Sequence, residues 1–328
     1  MSLFMNSKKP VGAKIESERY TAETLKAADY DIAVFEATYS IDTESTERNI
    51  SLGNFSKVTD IVGKEDSTIT MKVAIAPSAT NLGTAPTWAK LLKACQFKDT
   101  VYTGTGYKLE TDSTVCDTLT IGMAVTEECA DPGEEFVTFK GCHGKVKFTG
   151  VVGNAVIAEF EFKGSFVGQD YREEAISMAN IEVVSPDIIK GSGSSLTAGG
   201  YTLNDANSIE INIENTIGME IDMSEDSGYV GSHIIDRNVS VVIDPYFKSN
   251  SERDWYTKKI TPNGNLYPMI FRTSNFLYYL PSLQTKNCLQ LGERDGMVTD
   301  TITFKSVRAP YDDDFYILQG TDYILQGS

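Results

Sequence analysis

Several landmarks occur twice along this chain, in the same order. Glu47-Arg48-Asn49-Ile50-Ser51 is echoed by Asp236-Arg237-Asn238-Val239-Ser240, and each copy follows a stretch with the pattern of a β-strand. Each half then carries one of the two tryptophans and ends in similar strands, Phe160-Glu161-Phe162-Lys163 and Ile302-Thr303-Phe304-Lys305. Repeated β-rich units commonly bury surface against copies of themselves. The pattern therefore predicts a tandem duplication of a β-rich module, and it favours an assembly subunit over an enzyme.

Length, charge and cysteine content narrow the possible functions. A chain of 328 residues can hold two domains. Its net charge of −17, from 46 acidic and 29 basic residues, argues against a protein that grips nucleic acid through phosphates. The same charge suits a conduit along which DNA slides without binding. There is no apolar run long enough for a membrane helix and no signal peptide at the start. Five widely spaced cysteines favour reduced thiols and assembly in a cytoplasm.

Alternation of apolar and polar residues predicts a mainly β fold with a short helix in each half. Tight turns are predicted at Gly153-Asn154 and Asp295-Gly296. The helices are predicted at residues 87–94, after Pro86, and at 252–259, capped by Ser249 or Ser251. The predicted strands of the first half are 31–41, 48–52, 68–75, 119–126, 136–140, 145–150 and 156–164. Those of the second half are 209–213, 219–223, 239–243, 269–274, 276–280, 287–291 and 298–307.

The domain boundary is predicted near the Ser- and Gly-rich stretch that follows Ser185-Pro186. Residues 1–185 would form the first module with an N-terminal arm, and 186–328 the second module with a C-terminal tail. Residues 172–200 read equally as a flexible linker or as a decorated loop. Residues 54–67 read as a long loop or a protruding hairpin, and 101–114 as turn-rich. The repeat of Tyr316-Ile317-Leu318-Gln319-Gly320 at residues 323–327 is either a local duplication or an artefact.

No motif predicts catalysis, a cofactor or a metal. Cys142 and His143 are neighbours, but adjacent residues on a strand point to opposite faces, which favours a structural role over a shared metal. The acid run at residues 312–314 lacks the spacing of a calcium loop. The acid pairs at 127–128 and 134–135 could mimic a glycosidase pair, yet such pairs arise readily in so acidic a chain. Trp88 and Trp255 could be ligand platforms, although core positions are commoner.

Four stretches resemble the tail tube proteins of bacteriophages. They are Gly12-Ala13-Lys14-Ile15-Glu16-Ser17-Glu18, the β-run into Glu47-Arg48, the Pro-led helix Ala85–Cys95, and the paired strands from Phe139-Lys140-Gly141-Cys142-His143-Gly144 to Phe160-Glu161-Phe162-Lys163-Gly164. The resemblance covers roughly residues 12–168, while the second half is similar in architecture only. It implies two tandem β-sandwich or half-barrel modules, each flanked by a short helix.

The resemblance also implies how such a chain assembles. Modules join edge strands around a ring, and six modules line a channel, so two modules per chain imply a trimeric ring with pseudo-sixfold symmetry. A hexamer with a decorative second domain is the rival. Stacked rings would form a virion tail tube, assembled in the host cytoplasm. Its partners would be further copies, the tail-tip, terminator and tape-measure proteins, and DNA in transit, with no membrane.

Candidate assembly residues come from the N-terminal arm, the 54–67 region, the repeated arginines and the C-terminal tail. They are Lys14, Glu16, Glu18, Arg48, Lys57, Asp60, Lys64, Glu65, Arg237, Asp312 and Asp313. Three other classes stay open. A decoration or receptor-binding protein would form a discrete oligomer without stacking. A carbohydrate-active β-sandwich enzyme would need a carboxylate pair in a cleft, and a pilus or surface-layer subunit would normally carry a secretion signal.

Overall fold

The computed structural model describes residues 10–47, 59–102, 106–126, 134–172, 184–189, 194–261, 266–307 and 314–320. Within these ranges the protein is mainly β, with two short α-helices. The first half holds β1 (Val11–Ile15), β2 (Val34–Thr46), β3 (Ile61–Ala74), α1 (Ala89–Lys93), β4 (Phe97–Tyr102), β5 (Gly106–Thr111), β6 (Leu119–Thr126), β7 (Glu134–Val151) and β8 (Ile157–Arg172). The second half holds β9 (Ser195–Ala198), β10 (Tyr201–Thr202), β11 (Ser208–Ile221), β12 (Tyr229–Ile243), α2 (Trp255–Ile260), β13 (Tyr267–Arg272), β14 (Phe276–Arg294), β15 (Met297–Ser306) and β16 (Tyr316–Gln319).

The described strands form one open antiparallel sheet. In the first half the hydrogen-bonded order is β2-β3-β8-β7-β6-β1, and in the second it is β11-β12-β15-β14-β13-β9, with β10 beyond β9. Each order starts with the two strands of a hairpin, β2-β3 or β11-β12, and continues with the last two long strands of that half. It ends on the short strand that comes first in the sequence of that half, β1 or β9. The halves are joined where β11 pairs with β7, so β7 is long enough to serve two neighbours along one edge.

One hydrophobic core runs through both halves. The two tryptophans are buried in it, as the sequence predicted: the indole N–H of Trp88 donates to the Ala76 carbonyl at 2.8 Å, and Trp255 packs edge-on against Phe304. Trp88 immediately precedes α1 and Trp255 is the first residue of α2, so each short helix begins beside a buried indole ring. The N-cap of α2 is Asp254, whose carboxylate accepts from the Thr257 N–H at 2.9 Å, so the prediction of Ser249 or Ser251 as the cap was wrong.

The segment around the predicted domain boundary is packed in its described part. The backbone of Asp187 bonds to Ile75 and Val156 of the first half. Its carboxylate accepts hydrogen bonds from Thr273 and Asn275 of the second half. Residues 184–189 are therefore a structural joint between the halves and not a flexible linker. The C-terminal strand β16 is a second joint, since it pairs with β14 on one side and β5 on the other.

Three further expectations need correction. The turn-rich reading of residues 101–114 fails because β4 and β5 form a hairpin there. The two strands predicted at 136–140 and 145–150 are one strand, β7, with a bulge near Gly141 that the sequence suggested as a break. For residues 61–67 the long-loop alternative is wrong, since they belong to β3 and pair antiparallel with β2, in agreement with the hairpin alternative. Residues 54–58 lie outside the described residues.

The first repeated landmark does not mark matching places. Glu47 follows the first strand of its hairpin, whereas Asp236 lies within β12, the second strand of its own. The strand pairings relate the two halves by a different sequence offset from the one that the repeated landmark suggests. Ile69 on β3 pairs with Phe162, and Val241 on β12 pairs with Phe304, which puts the two hairpins 172 residues apart (241 − 69). The repeated Phe-Lys pairs at 162–163 and 304–305 do lie at corresponding places.

Candidate assembly edges

The pairing of β11 with β7, here called the internal seam, shows what joins one half to the other. Ile209, Ile211 and Ile213 lie opposite Gly150, Phe148 and Val146. The isoleucines and their large partners are buried, with Ile211 at 1% and Phe148 at 2% exposure. Burying an aliphatic or aromatic side chain stabilises by roughly 1.5–3 kcal/mol. Because the side-chain period of a strand is two, this row also fixes the register of the seam.

Beyond the seam, the β11–β12 hairpin leaves the edge of β7 and lies across the first half of the sheet. The Ser232 hydroxyl donates to the carbonyls of Gly141 (2.8 Å) and Lys163 (2.7 Å) as alternatives, and it accepts from the His143 N–H at 2.8 Å. Gly141 has φ +60°, and a Cβ there would lie 2.8 Å from the Gly231 Cα. Only glycine suits this crossing of two backbones.

The tip of the same hairpin is tied to β3, β7 and β8. Glu225 accepts from Lys140 at 2.9 Å, and the Ser227 carbonyl accepts from the Glu65 N–H at 3.0 Å. The hydroxyls of Ser165 and Ser227 are 2.7 Å apart and buried. The β11–β12 hairpin therefore extends the sheet at the internal seam and also packs against β3, β7 and β8 of the first half.

Several strand edges have no strand neighbour among the described residues, including those of β4 and β10. Two further open edges belong to the long strands β2 and β14. β2 pairs with β3 alone, and β14 pairs with β15 alone beyond Leu283, where its pairing with β13 ends. Both edges expose apolar side chains: Phe35 and Tyr39 on β2, and Leu289 and Leu291 on β14. Free N–H and C=O groups beside exposed apolar residues make an edge a template for pairing with another strand.

These two edges hold the same places in the pairing order as the two strands of the internal seam. Tyr39 pairs with Ile69, which in turn pairs with Phe162. In the same way, Ile211 pairs with Val241, which pairs with Phe304. On the other strand of the seam, Phe148 pairs with Ala158, four residues before Phe162, and Leu291 pairs with Asp300, four residues before Phe304. Tyr39 thus corresponds to Ile211, and Leu291 to Phe148. Tyr39 is 41% exposed and Leu291 is 64% exposed, although their counterparts are buried.

The face of the sheet opposite the core carries ion pairs between neighbouring strands. Lys72 pairs with Glu36 at 2.9 Å, Lys145 with Glu161 at 2.9 Å, and Lys147 with Glu210 at 3.0 Å across the internal seam. Lys163 pairs with Asp66 at 2.8 Å. These exposed pairs contribute little stability. They do hold each of these four lysines beside a carboxylate, and the carboxylate weakens the attraction of the lysine for a phosphate.

The residues predicted to take part in assembly are not all at the surface of the protein. Glu16 is buried, and its carboxylate accepts from the Gly141 N–H (2.7 Å), the Tyr20 N–H (2.9 Å) and the hydroxyls of Thr118 and Thr120. It ties the end of β1 to β6 and β7, so it cannot serve as an exposed contact.

The other predicted residues that the structure describes lie nearer the surface. Lys14 pairs with Glu23 at 2.8 Å, and Glu18 and Asp60 are exposed. Lys64 lies over the ring of Tyr229, and Glu65 holds the hairpin tip through its backbone. Arg237 is the exception, because its side chain is only 7% exposed and pairs with Asp314 at 3.1 Å. Arg48, Lys57, Asp312 and Asp313 lie outside the described residues.

The Cys142-His143 pair has a structural setting. Burial raises the pKa of the Cys142 thiol well above its ordinary value. Burial lowers the pKa of His143 to about 4, so its ring is neutral at pH 7. The ring nitrogen Nδ1 lies 3.3 Å from the Ser232 hydroxyl. Within the described ranges, no three His, Cys, Asp or Glu residues lie close enough together to hold a metal ion.

No protein-family model matches the chain, and no curated protein is similar to it at a significant level. Among the helices that the structure describes, none is long and apolar enough to cross a membrane. Sequence reasoning did not find the two open edges. The only signal for them was the apolar alternation of β2 and β14, which looks the same in a strand that is paired on both sides.

Proposed function

We propose that this protein is a structural subunit of a bacteriophage tail tube, which closes into rings that stack around a channel for DNA. The observation that carries the proposal is the correspondence between the buried internal seam and the two exposed edges. A chain that already joins one half to the other by strand pairing, and that carries an open counterpart of each joining strand, is suited to pairing with further copies of itself.

The matching strand orders support two tandem modules per chain, with β2-β3-β8-β7-β6-β1 and β11-β12-β15-β14-β13-β9 as their sheets. If every junction in a ring resembles the internal seam, three chains supply six modules. A closed ring also removes the open edges that make an isolated sheet prone to uncontrolled association. The favoured ring is therefore a trimer with pseudo-sixfold symmetry.

The charged face of the sheet supports a role for this surface as the channel lining. It presents polar and acidic side chains, and several of its lysines are held beside carboxylates. DNA would pass such a wall without forming strong phosphate contacts. In this proposal the protein resides in the virion tail and contacts tail-tip, terminator and tape-measure proteins as well as its own copies.

Electron microscopy of the purified full-length chain at rising concentration tests the proposal. Hollow rings or tubes with a central channel are expected. A carbohydrate-active enzyme or a decoration protein would instead stay monomeric or form closed particles without a channel, also after addition of tail-tip material. That result would remove the tube proposal.

A further inference from the structure

We infer that the β2 edge of one copy pairs antiparallel with the exposed part of β14 in the next copy, with Tyr39 opposite Leu291. This inference rests on the proposed function and adds the surface, the partner and the register. The partner is a second copy of this chain, since the chain contains the counterparts of both seam strands, β2 and β14. Each of these two strands has an open edge.

The register follows from the internal seam. There Ile211 lies opposite Phe148, and Ile209 lies opposite Gly150. Tyr39 corresponds to Ile211 and Leu291 to Phe148 through the pairings already described. Applying the same antiparallel relation places Ala37 opposite Glu293. A shift by one residue would turn every apolar side chain to the other face, so the register is strongly constrained.

The side chains at the two edges suit this pairing. Leu291 and Tyr39 would meet on the core side, where their counterparts are buried. The Tyr39 ring already rests against Phe139, with centroids 5.7 Å apart, so it is oriented before any partner arrives. On the opposite face, Thr38 and Ser40 meet the region of Gln290 and Gly292, where only small or uncharged groups occur.

The β14 edge is irregular in the single chain. Its register with β15 shifts between Asn287 and Gln290, and Leu289 has φ +61°. A bulge on a free edge discourages indiscriminate pairing. Beyond this bulge the strand from Gln290 to Arg294 is regular and is the part that receives Ala37 and Tyr39.

Cysteine cross-linking tests the register directly. In a full-length background carrying Cys116→Ser, Cys129→Ser and Cys288→Ser, the pair Tyr39→Cys and Leu291→Cys would be oxidised after assembly. Directly opposed residues have Cβ atoms close enough for a disulfide. The matched control combines Tyr39→Cys with Met297→Cys, because Met297 is about as exposed as Leu291 but lies on β15.

Covalent dimers and trimers from the 39/291 pair, and none from the 39/297 pair, are the expected result. Rings seen by microscopy with no 39/291 cross-link would overturn the inferred seam and leave the tube proposal standing. Absence of both rings and cross-links would remove both. As a check that uses no variant, hydrogen exchange on the unaltered chain should slow at the amides of residues 36–42 and 290–293 on assembly. Unchanged exchange there in assembled rings would also overturn the seam.

Discussion

Ile211 on β11 lies directly opposite Phe148 on β7, and both side chains are buried in the core that the two halves share. Tyr39 on β2 and Leu291 on β14 occupy the corresponding places in the pairing order and are exposed. The same position is thus buried at the internal seam and open on these two edges. If the chain assembles as proposed, this difference should separate substitutions that unfold the monomer from those that block assembly.

Ile211→Ala is expected to lower the free energy of unfolding by about 2–5 kcal/mol, because it removes a buried aliphatic side chain from the seam. Tyr39→Ala, its matched counterpart, should cost less than about half as much in the monomer and yet reduce ring formation. Urea denaturation and sedimentation of the same samples give both quantities. Equal loss of stability in the two variants would contradict the assignment.

Glu16→Ala should destabilise the monomer by about 2–4 kcal/mol, since it leaves the Gly141 N–H and the Thr118 and Thr120 hydroxyls without their acceptor. Glu18→Ala is the control, because Glu18 is an exposed acid two residues away and its loss should change stability by less than about 0.5 kcal/mol. Thermal or urea unfolding measures the difference. If Glu18→Ala were the more damaging change, the role given to Glu16 would be wrong.

Acid should weaken the monomer through His143. Its pKa in the folded protein is about 4, below the ordinary value of 6.5. The unfolded chain therefore binds the proton more readily, so this contribution is fully present above pH 6.5 and is lost as the pH falls towards 4. A shift of this size corresponds to about 3 kcal/mol at most. His143→Gln should flatten the decline in stability between pH 6.5 and 4, measured by urea unfolding at several pH values. An unchanged slope would contradict the prediction.

Gln319→Ala should loosen the C-terminal joint. The Gln319 amide oxygen accepts from the Ser78 N–H at 3.2 Å, and its nitrogen donates to the carbonyls of Leu82 (2.9 Å) and Thr84 (3.3 Å). Loss of these bonds is expected to cost about 1–3 kcal/mol and to speed hydrogen exchange in β16. Gln169→Ala, at an exposed position of β8, is the control. Equal effects of the two substitutions would show that Gln319 does not anchor the strand.

Local patterns in the sequence predicted much of the secondary structure. Both tight turns were correct: Gly153 has φ +88°, and Asp295 and Gly296 both have positive φ. The strand predicted at 68–75 covers the core part of β3, which ends at Ala74. Helix α1 lies within its predicted range, and α2 overlaps its own but begins three residues later and ends one residue later. These features depend on neighbours along the chain, where alternation and turn chemistry act directly.

Long-range pairings were beyond such reasoning. Gly141 looked like a break, but it allows β7 to continue under the crossing hairpin, a requirement set by Gly231 from the other half. Glu16 looked like a surface charge because three of the four groups that donate hydrogen bonds to its carboxylate belong to residues more than 100 positions away. The open edges depend on which strands pair with which, and alternation within a single strand does not encode that.

The mass of a single ring tests the central claim most directly. Native mass spectrometry of the smallest closed assembly, matched to ring images by electron microscopy, gives the number of chains per layer. Three chains, about 108 kDa or three times 36.0 kDa, are expected if each chain supplies two modules joined as in the internal seam. Rings of six chains would contradict the two-module account, and a chain that stays monomeric at every concentration would contradict assembly itself.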